Sequence, residues 1–396
     1  MGSHFIAGKS LGLLGEQLIH VMKGPFKMKL TEIKSTFTTN TEQDTPPFTS
    51  ECKKRDINGD VLWVWSYPSV SPENREFFTR KSGLQTITTQ GSPNTIPFLY
   101  SQKDHSWYYI LTVLNDHASP LTKVSHISLV LVAKDFNPEK YEILCKLLVK
   151  KYQLTGSPSS MLESYLAVTT KGTCQTEENG KFSVKEYSAK RAYANAKLKG
   201  IIEMFDLEVI IIYTALLLKR RIAVYYPESE LSQLISCIRS LPALVWHRQN
   251  WDIAFPYVEL NQPEINSLKE NSSYVAGFTD ASVEGRNDLY DVFVNAAVGQ
   301  ISVASHAKEY FAMGKLHKET AIFMKELSER DASEEEIIKE IARKTSELIN
   351  NLKSLAKENE DGRSVITLEM LKERRMAPAT ENFLFTLAAC EGLVQV

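Results

Sequence analysis

Residues 209–226 read VIIIYTALLLKRRIAVYY, and the reading of this stretch decides the fold. Residues 209–218 are apolar apart from Thr214. A basic triplet follows, Lys219, Arg220 and Arg221, and then a β-prone run, 222–226, closed by Pro227. The stretch is too short and too charged at its end to cross a bilayer, which takes about 20 apolar residues. Thr-Ala-Leu-Leu-Leu suits a helix, and Ile-Ala-Val-Tyr-Tyr suits a strand. The pattern predicts a helix buried on all sides that feeds directly into a core strand. The triplet is expected at the helix C-terminus, where cations meet the negative end of the dipole.

Working outward, helices are expected over 161–168, 189–205 and 228–241, with a polar loop at 173–185. A turn is expected at 246–251, and strands over 254–260, 274–279 and 288–295. Helices alternating with strands mark an α/β unit. Upstream, Asn58-Gly59 is a hairpin turn signal before a strand at 61–67. A second hairpin has its arms at 106–114 and 124–132. Asn137-Pro138 then opens a helix, with Asn as N-cap and Pro in the first turn. Order is expected to begin at Asp56, because the charged residues 51–55 read poorly as a strand. Downstream of 304 the chain reads as helices over 304–328, 333–356, 368–375 and 381–396, the second opened by the capping pattern Ser333-x-x-Glu336. The expected boundaries are an N-terminal extension at 1–55, partly disordered, then 56–154, 155–296 and 297–396.

The chain has 396 residues, enough for two or three domains. Apolar residues make up 43% and charged residues 24%, as in ordinary globular proteins. A formal net charge of −2 leaves no global field toward nucleic acid or anionic membrane. The 5 cysteines are scattered without a C-x-x-C pair, which argues against a disulfide framework or zinc site and fits a reducing cytosol. Glu16, Gln17 and His20 interrupt the apolar run at 11–22, so it is not read as a signal peptide. Residues 36–50, rich in Thr, Asn, Pro and Ser, read as linker.

Chemistry-bearing motifs are few. Gly8-Lys9-Ser10 resembles the end of a P-loop, but the first glycine is one position out of place. None of the 8 histidines has metal-ligand spacing. His247 reads as a turn histidine bonded locally, and Cys174 as a loop cysteine with no electropositive partner. No catalytic, cofactor-binding or metal residue is therefore expected. Two features point to partners. Strict alternation puts Trp63, Trp65 and Tyr67 on one strand face, which is either core or a platform for a partner. The stripe Ile337, Ile341, Leu348, Leu352 and Leu355 reads as self-packing rather than an intermolecular coiled coil, because it is short and Thr345 interrupts it.

With these pieces in place, the chain resembles the DENN-domain family. TALLLKRRIAVYY (214–226), LPALVWHRQNW (241–251), SSYVAGF (272–278) and DLYDVFVN (288–295) resemble the family's central module. GDVLWVWSYP (59–68) and ISLVLVAKDFNPEKYEILCKLL (127–148) resemble its upstream, longin-like module. The resemblance implies a longin-like module with a mixed or antiparallel sheet, a central α/β module and a small all-α C-terminal module. The first longin strand is expected either from a different segment, 26–37, or as a distorted strand at the charged stretch 51–55. The resemblance also implies a Rab small GTPase as partner and guanine-nucleotide exchange without covalent catalysis or cofactor. A second implied role is a non-exchanging scaffold on the coiled-coil subunits of the CCC part of the endosomal Commander complex, gripped through Trp63, Trp65 and Tyr67. Either role implies a cytoplasmic protein held on late endosomes through partners.

Overall fold

A computed structural model describes residues 49–394 apart from 57, 86–95, 117, 177–179 and 359–363. The readings made for residues 1–48, including the apolar run at 11–22 and the candidate strand at 26–37, lie outside the described residues. Strand β1 (Thr49–Asp56) turns into β2 (Val61–Tyr67), followed by helix α1 (Pro72–Lys81), β3 (Leu99–Lys103), β4 (Ser106–Leu114) and β5 (Val124–Ala133). These strands form one antiparallel sheet in the order β2-β1-β5-β4-β3. Residues 49–55, upstream of the expected start at Asp56, are therefore already part of a strand, and the charged run is paired on both sides. Its buried lysine, Lys53, is accommodated because its Nζ lies 4.3 Å from the centroid of the Trp63 ring.

Each face of this sheet carries helices. Tyr108 meets Phe77 and Phe78 of α1 edge-on, while its neighbour Tyr109 stacks at 4.2 Å on Tyr141 of α2 (Pro138–Thr155). Asn137 caps α2 by accepting from Lys140 N, and Gly156 closes it with a left-handed φ of 64°. Helix α3 (Pro158–Lys171) leads to a short hairpin, β6 (Thr173–Thr176) and β7 (Gly180–Ser183), where a loop was expected.

The expected helix at 189–205 is two, α4 (Ala189–Ala194) and α5 (Leu198–Phe205). The break is held by tertiary acceptors: Lys197 N donates to Ser240 Oγ, and Leu198 N to Glu334 Oε2, at 2.8 Å each. Helix α6 (Val209–Leu217) is buried nearly all round and passes through a single left-handed residue, Lys219, into β8 (Ile222–Tyr225). Helix α7 (Leu231–Ser240) follows, then a 3-10 segment at Leu241–Arg248, β9 (Ala254–Phe255), α8 (Gln262–Lys269), β10 (Val275–Phe278), β11 (Val292–Asn295) and β12 (Gln300–Val303). The second sheet has the order β12-β11-β8-β10-β9, parallel except for β12. The expected strands at 254–260 and 288–295 are thus shorter. The expected boundary at 297 falls inside the β11–β12 hairpin.

The expected helix at 304–328 is a 3-10 segment, Ser305–Phe311, and a separate helix α9 (Lys315–Ser328). Gly314 N donates to His317 Nδ1 at the start of α9. Helix α10 (Glu334–Lys353) has the expected capping box at Ser333 and Glu336. Its Thr345 does not interrupt the packing stripe. It is fully buried, and its hydroxyl lies 2.8 Å from Tyr213 Oη of α6. A two-residue hairpin, β13 (Lys357–Glu358) with β14 (Ser364–Val365), then α11 (Leu368–Glu373) and α12 (Pro378–Cys390) complete the described chain.

Candidate partner-binding site

The two sheets meet where β3 faces the segment around β9. Gln102 Nε2 lies 2.7 Å from Ala254 O and 3.0 Å from Asp252 O, and Tyr257 N donates to Ser101 Oγ at 3.3 Å. Helix α1 supplies the charged part of the seam. Ser71 accepts from Asn74 N, Pro72 occupies the first turn, and Arg80 and Lys81 end the helix. Lys81 has a fully buried side chain and pairs with Glu264 at 2.7 Å and Glu259 at 3.3 Å. Arg80 reaches Glu259 at 2.5 Å and Glu264 at 3.0 Å. The acids are held in turn by the start of α8, where Asn261 caps the helix and its amide donates to Glu264 Oε1. Burial pushes the Glu264 carboxyl up, but the Lys81 ammonium and these hydrogen bonds hold it below the usual range. Beside this latch lies an open cleft of about 230 Å³, lined by Phe77 and Arg80 of α1, Lys103 of β3, and Tyr257 and Leu268 from the second sheet's side.

The aromatic residues of β2 do not share a face. Cys52 is opposite Trp65 but Lys53 is opposite Trp63, so β2 carries one extra residue, Val64, in a bulge. Successive residues of β1 point to opposite faces, and their partners follow them. Trp63 therefore lies with Lys53 on the α1 side, covered by Lys53 Nζ and, at 5.4 Å, by the Arg75 guanidinium. Trp65 and Tyr67 lie with Cys52 on the α2 side, stacked at 6.2 Å and packed on the core. All three are half-buried on the edge strand of the sheet.

Two further polar clusters tie the second sheet together. Arg221 pairs with Asp291 at 3.0 Å, and His306 Nε2 lies 2.9 Å from the same carboxyl oxygen. Burial raises Asp291, but these donors hold it below the carboxylate range. At the end of α6, the Arg248 guanidinium donates to Leu216 O and Leu217 O at 2.6 and 2.7 Å and to Glu391 at 2.5 Å. The basic triplet was expected to neutralise this helix end. Arg248 does so instead, while Arg220 stacks on Tyr310 at 3.4 Å. His247 is not bonded locally, since its Nε2 lies 3.3 Å from Glu391, far along the chain.

The family model described as "SPA: Stabilization of polarity axis" matches residues 195–305, which span α5 to β12 and so the whole second sheet. The chain is 46% identical over 345 residues to DENN domain-containing protein 10 of Homo sapiens, covering 87% of this chain and 95% of that protein. It is 46% identical over 344 residues to the protein of that name in Danio rerio, covering 87% and 96%. With the one in Dictyostelium discoideum it shares 34% identity over 359 residues, covering 86% and 96%. The chain belongs to the DENN domain-containing protein 10 family.

In this DENN-family chain the seam residues went unread in the sequence. Lys81, Glu259 and Glu264 lie on separate elements without a shared spacing. Only Asn261-x-x-Glu264, a capping pattern, could have marked the acid as fixed. Asp291 had a clearer signal. It immediately precedes an apolar strand, as Arg221 does, and the parallel pairing of Val292 with Ile222 sets the two side by side. No helix among the described residues is long and apolar enough to cross a membrane.

Proposed function

We propose that the chain is a Rab-binding guanine-nucleotide exchange factor acting in late endosomal and endosomal-recycling traffic. In this reading the first sheet with its helices is the longin-like module, the second sheet is the central α/β module, and the helices after β12 are the small all-α module. The observation that carries the reading is the cleft at the seam, lined from both sheets in a chain of the DENN family. A GTPase seated there touches both modules at once. Exchange needs no covalent step: the factor binds the nucleotide-free GTPase most tightly and so lowers the barrier to GDP loss. The cleft suits this role by placing Phe77, Tyr257 and Leu268 as apolar contacts beside charges of both signs, Arg80 and Lys103 with Glu73, Glu76 and Asp104. Release of fluorescent GDP from a panel of Rab proteins is the test. Acceleration with one or more members supports the proposal, and no acceleration with any of them refutes it.

A second reading has its own observation. Trp63, Trp65 and Tyr67 are only half-buried, on a strand at a sheet edge, and aromatics at such places anchor protein interfaces. On this reading the protein is a non-exchanging scaffold that docks on the coiled-coil subunits of the CCC and Commander assembly. Tight binding to that coiled-coil pair, lost in Trp63→Ala at unchanged fold, with no exchange on any Rab, would favour it over the first.

A further inference from the structure

Among the described residues, half of the large apolar side chains that stand exposed lie together on one surface remote in sequence from the seam. Met204 and Leu207 are at the end of α5, Val298 is in the β11–β12 turn, and Ile322 is on α9, each more than 40% exposed. The tertiary structure brings them together. Asp206 and Lys325 pair at 2.7 Å, which sets α9 beside the end of α5. The turn lies against the same end, since a Cβ on Gly299 would be 3.5 Å from Met204 O. Exposed apolar patches of this kind mark interaction surfaces.

The surrounding charge says what covers it. Within four positions of these apolar residues stand the carboxylates Glu203, Asp206, Glu208, Glu319 and Glu326, but only the lysines Lys318 and Lys325. Lys325 is already neutralised by Asp206. Glu203, Glu208, Glu319 and Glu326 are all exposed, and of these Glu319 has a solvent-exposed cation beside it, Lys315 at 3.6 Å. Such a rim repels an anionic bilayer, which attracts basic and not acidic surfaces. It also repels a second copy of itself, because an isologous contact sets like charges face to face.

We infer that this surface docks a basic amphipathic helix of another protein. Apolar side chains at i, i+3, i+4 and i+7 of that helix contact Met204, Leu207, Val298 and Ile322, and its lysines or arginines meet the glutamate rim. The site is separate from the seam, so it stands whether or not the exchange reading does.

The test uses the full-length protein and two labelled model peptides of about 18 residues, enough for about five helical turns. One is leucine and lysine in amphipathic order, and the other has glutamate in place of lysine. The lysine peptide is expected to bind, more weakly as salt rises, and about tenfold more weakly to Leu207→Asn/Ile322→Asn. The glutamate peptide is expected not to bind. Val298→Asn, in an exposed turn, serves as a second variant if the double one does not fold. Equal binding of the lysine peptide to wild type and variant, or its failure to bind, overturns the inference. So does equal binding of the glutamate peptide. Sedimentation with phosphatidylserine vesicles, or self-association, that the variant abolishes would assign the surface to a membrane or a second copy instead.

Discussion

The two sheets bury their strands by different means. The second is parallel but for its edge strand β12, and its core strands are short apolar runs such as Ile222–Tyr225 and Val292–Asn295. The first is antiparallel, and one of its inner strands, Thr49–Asp56, reads TSECKKRD. In the second sheet, exclusion of water from both faces selects the composition directly. In the first, Lys53 of a charged strand is buried because aromatic rings cover its cation and a bulge in β2 brings Trp63 onto that side. The apolar strand needs only neighbours, whereas the charged strand needs one particular neighbour.

The sharpest consequence of tight parallel packing is at Gly277. A Cβ there would lie 2.4 Å from Pro256 O and 2.9 Å from Leu234 Cδ1. Gly277→Ala is expected to cost about 4 kcal/mol in urea unfolding. A cost under 1 kcal/mol would show that the second sheet yields more easily than its packing implies.

The seam between the sheets comes next. Lys81→Ala leaves the Glu264 carboxylate largely buried beside Arg80 alone, at an expected cost of about 3 kcal/mol. Lys81→Met with Glu264→Gln removes both charges and should recover most of the loss. If the double variant is as unstable as Lys81→Ala, the apolar packing of the seam and not its charge pairing is what joins the sheets.

For the charged strand, Trp63→Leu is expected to cost about 2 kcal/mol, of which about 1 kcal/mol is coupling to Lys53. The coupling is read from a double-mutant cycle with Lys53→Met. Full additivity would mean that the ring does not support the buried lysine.

These cases also show how much was legible beforehand. The spine from α6 to β8 was readable, since ten mostly apolar residues before a β-prone run admit few alternatives. The capping of α10 was equally plain. The inner position of β1 was not, because its burial depends on Trp63, and the bulge that delivers Trp63 is a register property with no residue signature. For the same reason strict alternation placed the three aromatics on one face. The seam pairs were hidden because each partner, read alone, is an ordinary surface charge. Arg248 was hidden too, as its acceptors are backbone carbonyls of another helix and its acid, Glu391, is distant in sequence.

The smallest expected effect is at that helix end. Burial pushes Glu391 up, but His247 and Arg248 hold it down to about 2. A carboxyl with a depressed folded pKa stabilises above its unfolded value, and the contribution is lost as pH falls from about 4.5 toward 2. The stability difference between wild type and Glu391→Gln should therefore be about 1 kcal/mol at pH 6, after allowance for solvent screening, and should vanish near pH 2. A difference that persists unchanged at pH 2 would remove the carboxylate charge as its cause.

What the seam does for function is read most directly by fluorescent-GDP release with wild type and Lys103→Glu, a reversal of charge in the cleft lining. We predict that wild type accelerates release from at least one Rab protein, and that Lys103→Glu loses the acceleration at an unchanged melting temperature. Equal acceleration by the two proteins, or none by either, would contradict the assignment of exchange to the cleft between the sheets.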